Sequence, residues 1–122
     1  MSVRGIRGAI TVDANEEQSI LQATIEMLNG IVADNEIVPD DICSVFVTVT
    51  NDLDETFPAR AIRQMKGWEL VPLMCALEVP VKGSLERCIR LMVLINTDKT
   101  QAEIRHVYLN GAQALRPDLS KA

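Results

Sequence analysis

The chain has 122 residues, 48% of them hydrophobic and 24% charged, with a net charge of −5 at pH 7. That composition suits one domain with a real core; it is too apolar for disorder and too short for two domains. Two phenylalanines, one tyrosine and one tryptophan leave little to stack on bases, so an acidic chain of this kind is not expected to bind nucleic acid.

Residues 3–12 read as a first strand. Alternation places Ile6, Ile10 and Val12 on one face with Arg4 and Gly8, and Arg7 on the other, between Gly5 and Ala9. Those small neighbours leave room over Arg7 for a ligand or another chain. Asn15 followed by Gln18 resembles a capping box, with Glu16 and Glu17 in the first turn of a helix that runs to about residue 34. Leu21, Thr24, Ile25, Leu28, Ile31 and Val32 form its apolar stripe. Val38-Pro39-Asp40-Asp41 is a turn. Residues 43–50 give a second strand, in which Val45, Val47 and Val49 alternate with Phe46, Thr48 and Thr50. After the polar loop Asn51-Asp52-Leu53-Asp54-Glu55, Pro58 opens a short helix that Gly67 can close. Arg60 and Arg63, three apart, share a face of it.

Residues 68–78 contain another apolar segment, with Pro72 marking an edge or irregular strand and Glu78 at its end. Lys82-Gly83-Ser84 turns the chain into Arg87-Cys88-Ile89-Arg90-Leu91-Met92-Val93-Leu94-Ile95, a run too short and too β-branched for a helix. Its alternation sets Cys88, Arg90, Met92 and Leu94 against Ile89, Leu91, Val93 and Ile95. A guanidinium keeps its proton, so Arg90 in this setting must meet an anion, either a carboxylate of the chain or one brought by a ligand. Thr100 with Glu103 is a second capping box. Residues 106–109 look extended, Asn110-Gly111 is a turn signal, and residues 112–115 are expected to return as a short strand. A mobile polar tail is expected over about 115–122.

The fold expected from these elements is α+β. One domain over residues 1–122 has a small mixed sheet with helices on one face. The other face, apolar around Val93 and Ile95, needs a lid, and the simplest lid is a further copy of the chain. Eight of the twelve basic residues are arginine, whose planar fork suits carboxylate or phosphate, so a small anionic ligand is expected. Cys43, Cys75 and Cys88 are widely spaced and odd in number, which reads as reduced thiols in the cytoplasm. No signal-peptide core opens the chain and no run is long enough to span a membrane. The single histidine, His106, has no cluster around it, so neither a metal site nor a Ser-His-Asp triad is expected. The scattered glycines form no phosphate-cradling loop.

Five stretches recur together in one known family. They are Arg4-Gly5-Ile6-Arg7-Gly8-Ala9, Phe57-Pro58-Ala59-Arg60-Ala61-Ile62-Arg63, Cys88-Ile89-Arg90, Ile104-Arg105-His106-Val107-Tyr108-Leu109 and Leu115-Arg116-Pro117-Asp118-Leu119. In order and spacing the chain resembles the monofunctional chorismate mutases of the trimeric α/β type. The resemblance implies a homotrimer packing its sheets around a shared core, with active sites between subunits. It also implies the rearrangement of chorismate to prephenate on the route to phenylalanine and tyrosine, with no cofactor and no metal. Arg90 then resembles the cation beside the ether oxygen. Glu78 resembles the carboxylate on the ring hydroxyl, with Cys75 near it, and Arg7 and Tyr108 resemble the pair that holds the enolpyruvyl carboxylate. Phe57, Ala59, Leu73, Met74 and Leu115 would be walls, and Arg63, Arg60 and Arg116 would draw in the dianion. Two positions depart from the family's pattern: residue 60 is often lysine and residue 74 often threonine. The competing readings are an imine-hydrolysing trimer, which would not need two opposed cations with Glu78 between them, and a non-catalytic module that binds a small carboxylate metabolite.

Overall fold

The computed structural model describes residues 1–115. Five strands form one sheet: β1 (Ser2–Thr11), β2 (Ile42–Val49), β3 (Leu73–Leu77), β4 (Cys88–Thr97) and β5 (Val107–Leu109). Their spatial order is β3-β2-β4-β1-β5. The central β4 runs antiparallel to both β1 and β2. The outer pairs, β2 with β3 and β1 with β5, are parallel. A parallel pair needs a crossover. For β2 and β3 that crossover contains the short helix α2 (Ala59–Arg63) and the buried Trp68.

The long helix α1 (Glu17–Asn35) covers one face. Ile20, Met27, Leu28 and Ile31 of α1 meet Ile6 and Ile10 of β1, Val45 and Val47 of β2, and Ile89, Leu91, Val93 and Ile95 of β4 in a single aliphatic core. Val93 and Ile95 therefore belong under the helix, and the uncovered face is the one carrying Cys88, Arg90, Met92 and Leu94. Alternation separates the two sets, but it does not say which set a helix will claim. The buried stripe of α1 is centred on Ile20, Ala23, Met27, Leu28 and Ile31. Ile25, expected inside, is exposed, and Leu21 and Val32 are only half-buried.

Other local expectations also changed. Asn15 does not cap α1. Its amide donates to Asp54 at 2.7 Å and its carbonyl accepts the N–H of Asp54 at 3.1 Å, so it fastens a distant loop. Thr100 and Glu103 do form their capping box, around a single 3-10 turn (Gln101–Glu103), with the Thr100 N–H donating to the Glu103 carboxylate at 2.8 Å. That bond holds the Glu103 carboxyl below its ordinary range. Residues 110–115 make a 3-10 helix (Asn110–Leu115) and no returning strand. The Asn110 amide and the Gly111 N–H both bond to Thr11, at 3.1 and 2.9 Å, which turns the chain onto the end of β1. Arg116 and most of the expected tail lie outside the described residues. No helix among the described residues is long and apolar enough to cross a membrane.

Candidate active site

The site follows from strand register on the uncovered face. Thr48 of β2 lies opposite Arg90 of β4, Arg90 lies opposite Ala9 of β1, and Ala9 lies opposite Tyr108 of β5. One row across the sheet therefore reads Thr48, Arg90, Ala9, Tyr108. Ala9 contributes only a methyl group, so a hollow is left between the guanidinium and the phenol. Arg7, two residues before Ala9, points to the same face and borders it. The hollow encloses about 300 Å3 and is lined by Arg7, Phe46, Thr48, Glu78, Arg90, Met92 and Tyr108 among others.

Glu78 enters from just past the end of β3, tied by its N–H to the Val49 carbonyl at 2.9 Å. One carboxylate oxygen accepts the Thr48 hydroxyl. The other meets Arg90 Nη1 at 3.4 Å. Arg90 is less buried than its apolar run suggests, with 42% of its side chain exposed, because no helix among the described residues covers this face. Among the described residues that one long contact leaves most of its five donors available to a ligand. The Tyr108 hydroxyl is buried and has no hydrogen-bond partner among the described residues. Buried polar atoms are nearly always paired, so an unpaired one in a cleft wall points to a ligand atom.

The start of β4 is anchored firmly. Arg87 takes a left-handed conformation, φ 47°, and its N–H donates to both oxygens of Asp52 at 3.1 and 2.9 Å. The next N–H, of Cys88, donates to the Thr50 hydroxyl at 3.0 Å. Cys88 itself is buried with Ala9, Tyr108 and Ala112. Burial pushes its thiol up to about 11; the positive charge of Arg90 opposes the rise, while Glu78 and Asp52 add to it.

Of the residues expected at the site, Arg7, Glu78, Arg90 and Tyr108 come together. Leu115 is half-buried against the cluster that contains Tyr108. Met74 pairs with Phe46 and faces the same side, but it is 64% exposed on the edge strand. Leu73 and Cys75 pair with Val45 and Val47 and so take the opposite face. Phe57, Ala59, Arg60 and Arg63 lie on α2 and the residues leading into it, in the helix layer across the sheet. Ala59 is buried there, and Arg60 bonds to Glu17 of α1 at 3.0 Å and to Thr56 at 2.7 Å. Phe57 is 65% exposed. The cleft also gains Phe46, Met92 and Thr48, which sequence reading did not single out. Their alternation was visible, but only the register sets Thr48 beside Arg90. A larger depression of about 780 Å3, bordered by Asp34, Glu36, Lys99, Glu103, Arg105 and His106 among others, mixes both signs of charge.

Comparison with known proteins places these observations in a family. The sequence model described as chorismate mutase type I matches residues 3–119. Chorismate mutase AroH of Thermus thermophilus is 51% identical over 121 residues, spanning 98% of each chain. Chorismate mutase AroH of Bacillus subtilis is 46% identical over 120 residues, 98% of this chain and 94% of that one. Among solved structures, a chorismate mutase from Clostridium thermocellum superposes with a TM-score of 0.88 at 49% identity, over 91% of this chain and 98% of the other.

Proposed function

The chain belongs to the chorismate mutase type I family, and on that premise we propose that its cleft rearranges chorismate to prephenate in aromatic amino-acid biosynthesis. The observation that carries the proposal is the convergence on one hollow of Arg7, Arg90, Glu78 and the Tyr108 hydroxyl, which has no partner among the described residues. The reaction breaks an ether C–O bond and forms a C–C bond in one concerted step. It calls for no nucleophile and no net proton transfer. Two things lower its barrier. The flexible dianion must be held in the compact conformer that brings the reacting carbons together. The ether oxygen, which gains negative charge as its bond stretches, must find a fixed donor.

Arg90 supplies that donor. Glu78, steadied by Thr48, accepts a hydrogen bond from the ring hydroxyl and faces the positive charge that develops on the ring fragment. Arg7 and Tyr108 grip the enolpyruvyl carboxylate, which gives the phenol its missing partner. Leu115 closes the wall beside Tyr108, and Arg116 helps draw in the substrate.

The remaining expected residues belong, in this reading, to a neighbouring copy. Phe57 before α2, Ala59, Arg60 and Arg63 of α2, and Leu73, Met74 and Cys75 of the edge strand β3 do not line their own cleft. A homotrimer in which the β3 edge and α2 of one copy border the open sheet face of the next would carry them to the adjacent cleft. The three cysteines are free, as suits a cytoplasmic enzyme. Incubation with chorismate tests the function directly: the diene's ultraviolet absorbance should disappear as prephenate forms. Saturable binding without that loss would favour a sensing module instead.

A further inference from the structure

His106 has no part in the chemistry above, yet its ring meets the backbone of a site residue. β5 pairs with β1 from Val107 opposite Gly8 onward, so the ladder begins just past Arg7. The Arg7 N–H donates to His106 Nδ1 at 2.9 Å, and the imidazole stands where a ladder carbonyl would. The nearby carbonyl of Arg105 is already engaged. Asn35, at the end of α1 and 3% exposed, donates to it at 2.8 Å and accepts the Arg105 N–H at 2.8 Å. The same Asn35 amide also donates to the Ile31 carbonyl at 2.9 Å. A continuous set of bonds thus leads from α1 through Asn35 and the backbone of Arg105 to the His106 ring and on to Arg7. A backbone N–H can only donate, so Nδ1 must be bare and a neutral ring must carry its proton on Nε2.

We infer that His106 is a positioning residue. Its neutral imidazole extends the β5 edge by one acceptor, fixes the backbone of Arg7, and so sets the angle at which the Arg7 guanidinium enters the cleft. What Arg7 grips rests on the chorismate reading; the hydrogen bond does not. Arg7 holds a carboxylate that is present in both substrate and transition state, so loosening it removes binding common to both.

Two substitutions and one measurement on the unaltered protein test this. His106→Leu removes the acceptor and keeps bulk. His106→Asn keeps an acceptor, since Oδ1 stands where Nδ1 stood. His106→Leu should raise KM for chorismate about tenfold with kcat changed by no more than about twofold, the pattern of lost uniform binding. His106→Asn should restore KM. Damage to packing alone would lower the active fraction and hence kcat, and the smaller asparagine would not repair it. Amide exchange at Arg7 should be slow in the wild type and in His106→Asn and fast in His106→Leu. Nitrogen NMR of the wild type should show a bare Nδ1 coupled to the Arg7 amide. A protonated Nδ1, an Arg7 amide equally protected in His106→Leu, or an asparagine variant no better than leucine would overturn the inference. A wild type that leaves chorismate unchanged would remove the reading of the reaction instead, and exchange at Arg7 would then decide the inference alone.

Discussion

At the level of single residues, Arg90 carries the largest expected effect. Its guanidinium faces a hollow and meets Glu78 at 3.4 Å, a long contact that places it without consuming its donors. Replacing it with glutamine should lower kcat a hundred- to a thousandfold, about 3–4 kcal/mol of barrier, while KM moves much less. Lysine should rescue poorly, because a point charge on a flexible stem does not reproduce the fork. Steady-state absorbance kinetics on both variants decides this, and an Arg90→Gln variant with wild-type kcat would end the proposed mechanism. Cys88 gives a different test. Its thiol ordinarily titrates near 9 and here near 11, so between those values the unfolded chain has released a proton that the folded chain retains. Stability should therefore fall as pH climbs through that window. Melting temperatures across it should drop more steeply for the wild type than for Cys88→Ala; parallel curves would mean that other groups govern the alkaline limit.

At the level of elements, close approach decides how α1 sits on the sheet. Gly8 of β1 faces the helix, and a Cβ there would stand 2.6 Å from Ile31 Cδ1 and 3.2 Å from Met27. A tightly packed core yields little to such an intrusion. Gly8→Ala should cost about 1–3 kcal/mol of stability, read as a lower midpoint in urea with an unchanged slope. An unchanged midpoint would mean that α1 rides more loosely on β1 than the contact distances imply. Because Gly8 also borders the cleft and sits between Arg7 and Ala9, the same substitution is expected to raise KM as the strand shifts. The left-handed turn at Arg87, held by Asp52, plays the comparable part for β4: it fixes where the strand starts, and with it the row in which Arg90 stands.

At the level of the whole molecule, the unsheltered face governs behaviour. Phe46, Met74 and Met92 lie exposed on it beside the cleft, while Arg63 of α2 and Phe57 just before it are exposed in the other layer. If each cleft is completed by α2 of an adjacent copy, sedimentation at micromolar concentration should show trimers. Two impaired variants should also complement each other. Mixing subunits of Arg90→Gln with subunits of Arg63→Ala, after dissociation and reassembly, should return activity at about a quarter of the interfaces, those that pair an intact cleft with an intact α2. Hybrids no more active than the parent variants would place Arg63 outside the site or make the cleft self-sufficient.

The sequence alone carried the elements and their two-fold alternation. Arg7 was set apart from Ile6, and Arg90 from Ile89 and Leu91, and each pair does part company across the sheet. The Thr100–Glu103 cap was legible too, because a capping box is satisfied within four residues. Alternation also separates Cys75 from Glu78, so only the family resemblance had drawn them together, and in one chain they stay on opposite faces. The tertiary structure decided what depends on partners distant in sequence. It put Val93 and Ile95 under α1, sent Asn15 to a loop 39 residues away, curled residues 110–115 onto Thr11, and aligned Thr48, Arg90, Ala9 and Tyr108 in one row. Periodicity states which side chains share a face. Which face is covered, and which residues stand opposite one another, depends on how strands from remote parts of the chain come into register, and nothing local encodes that.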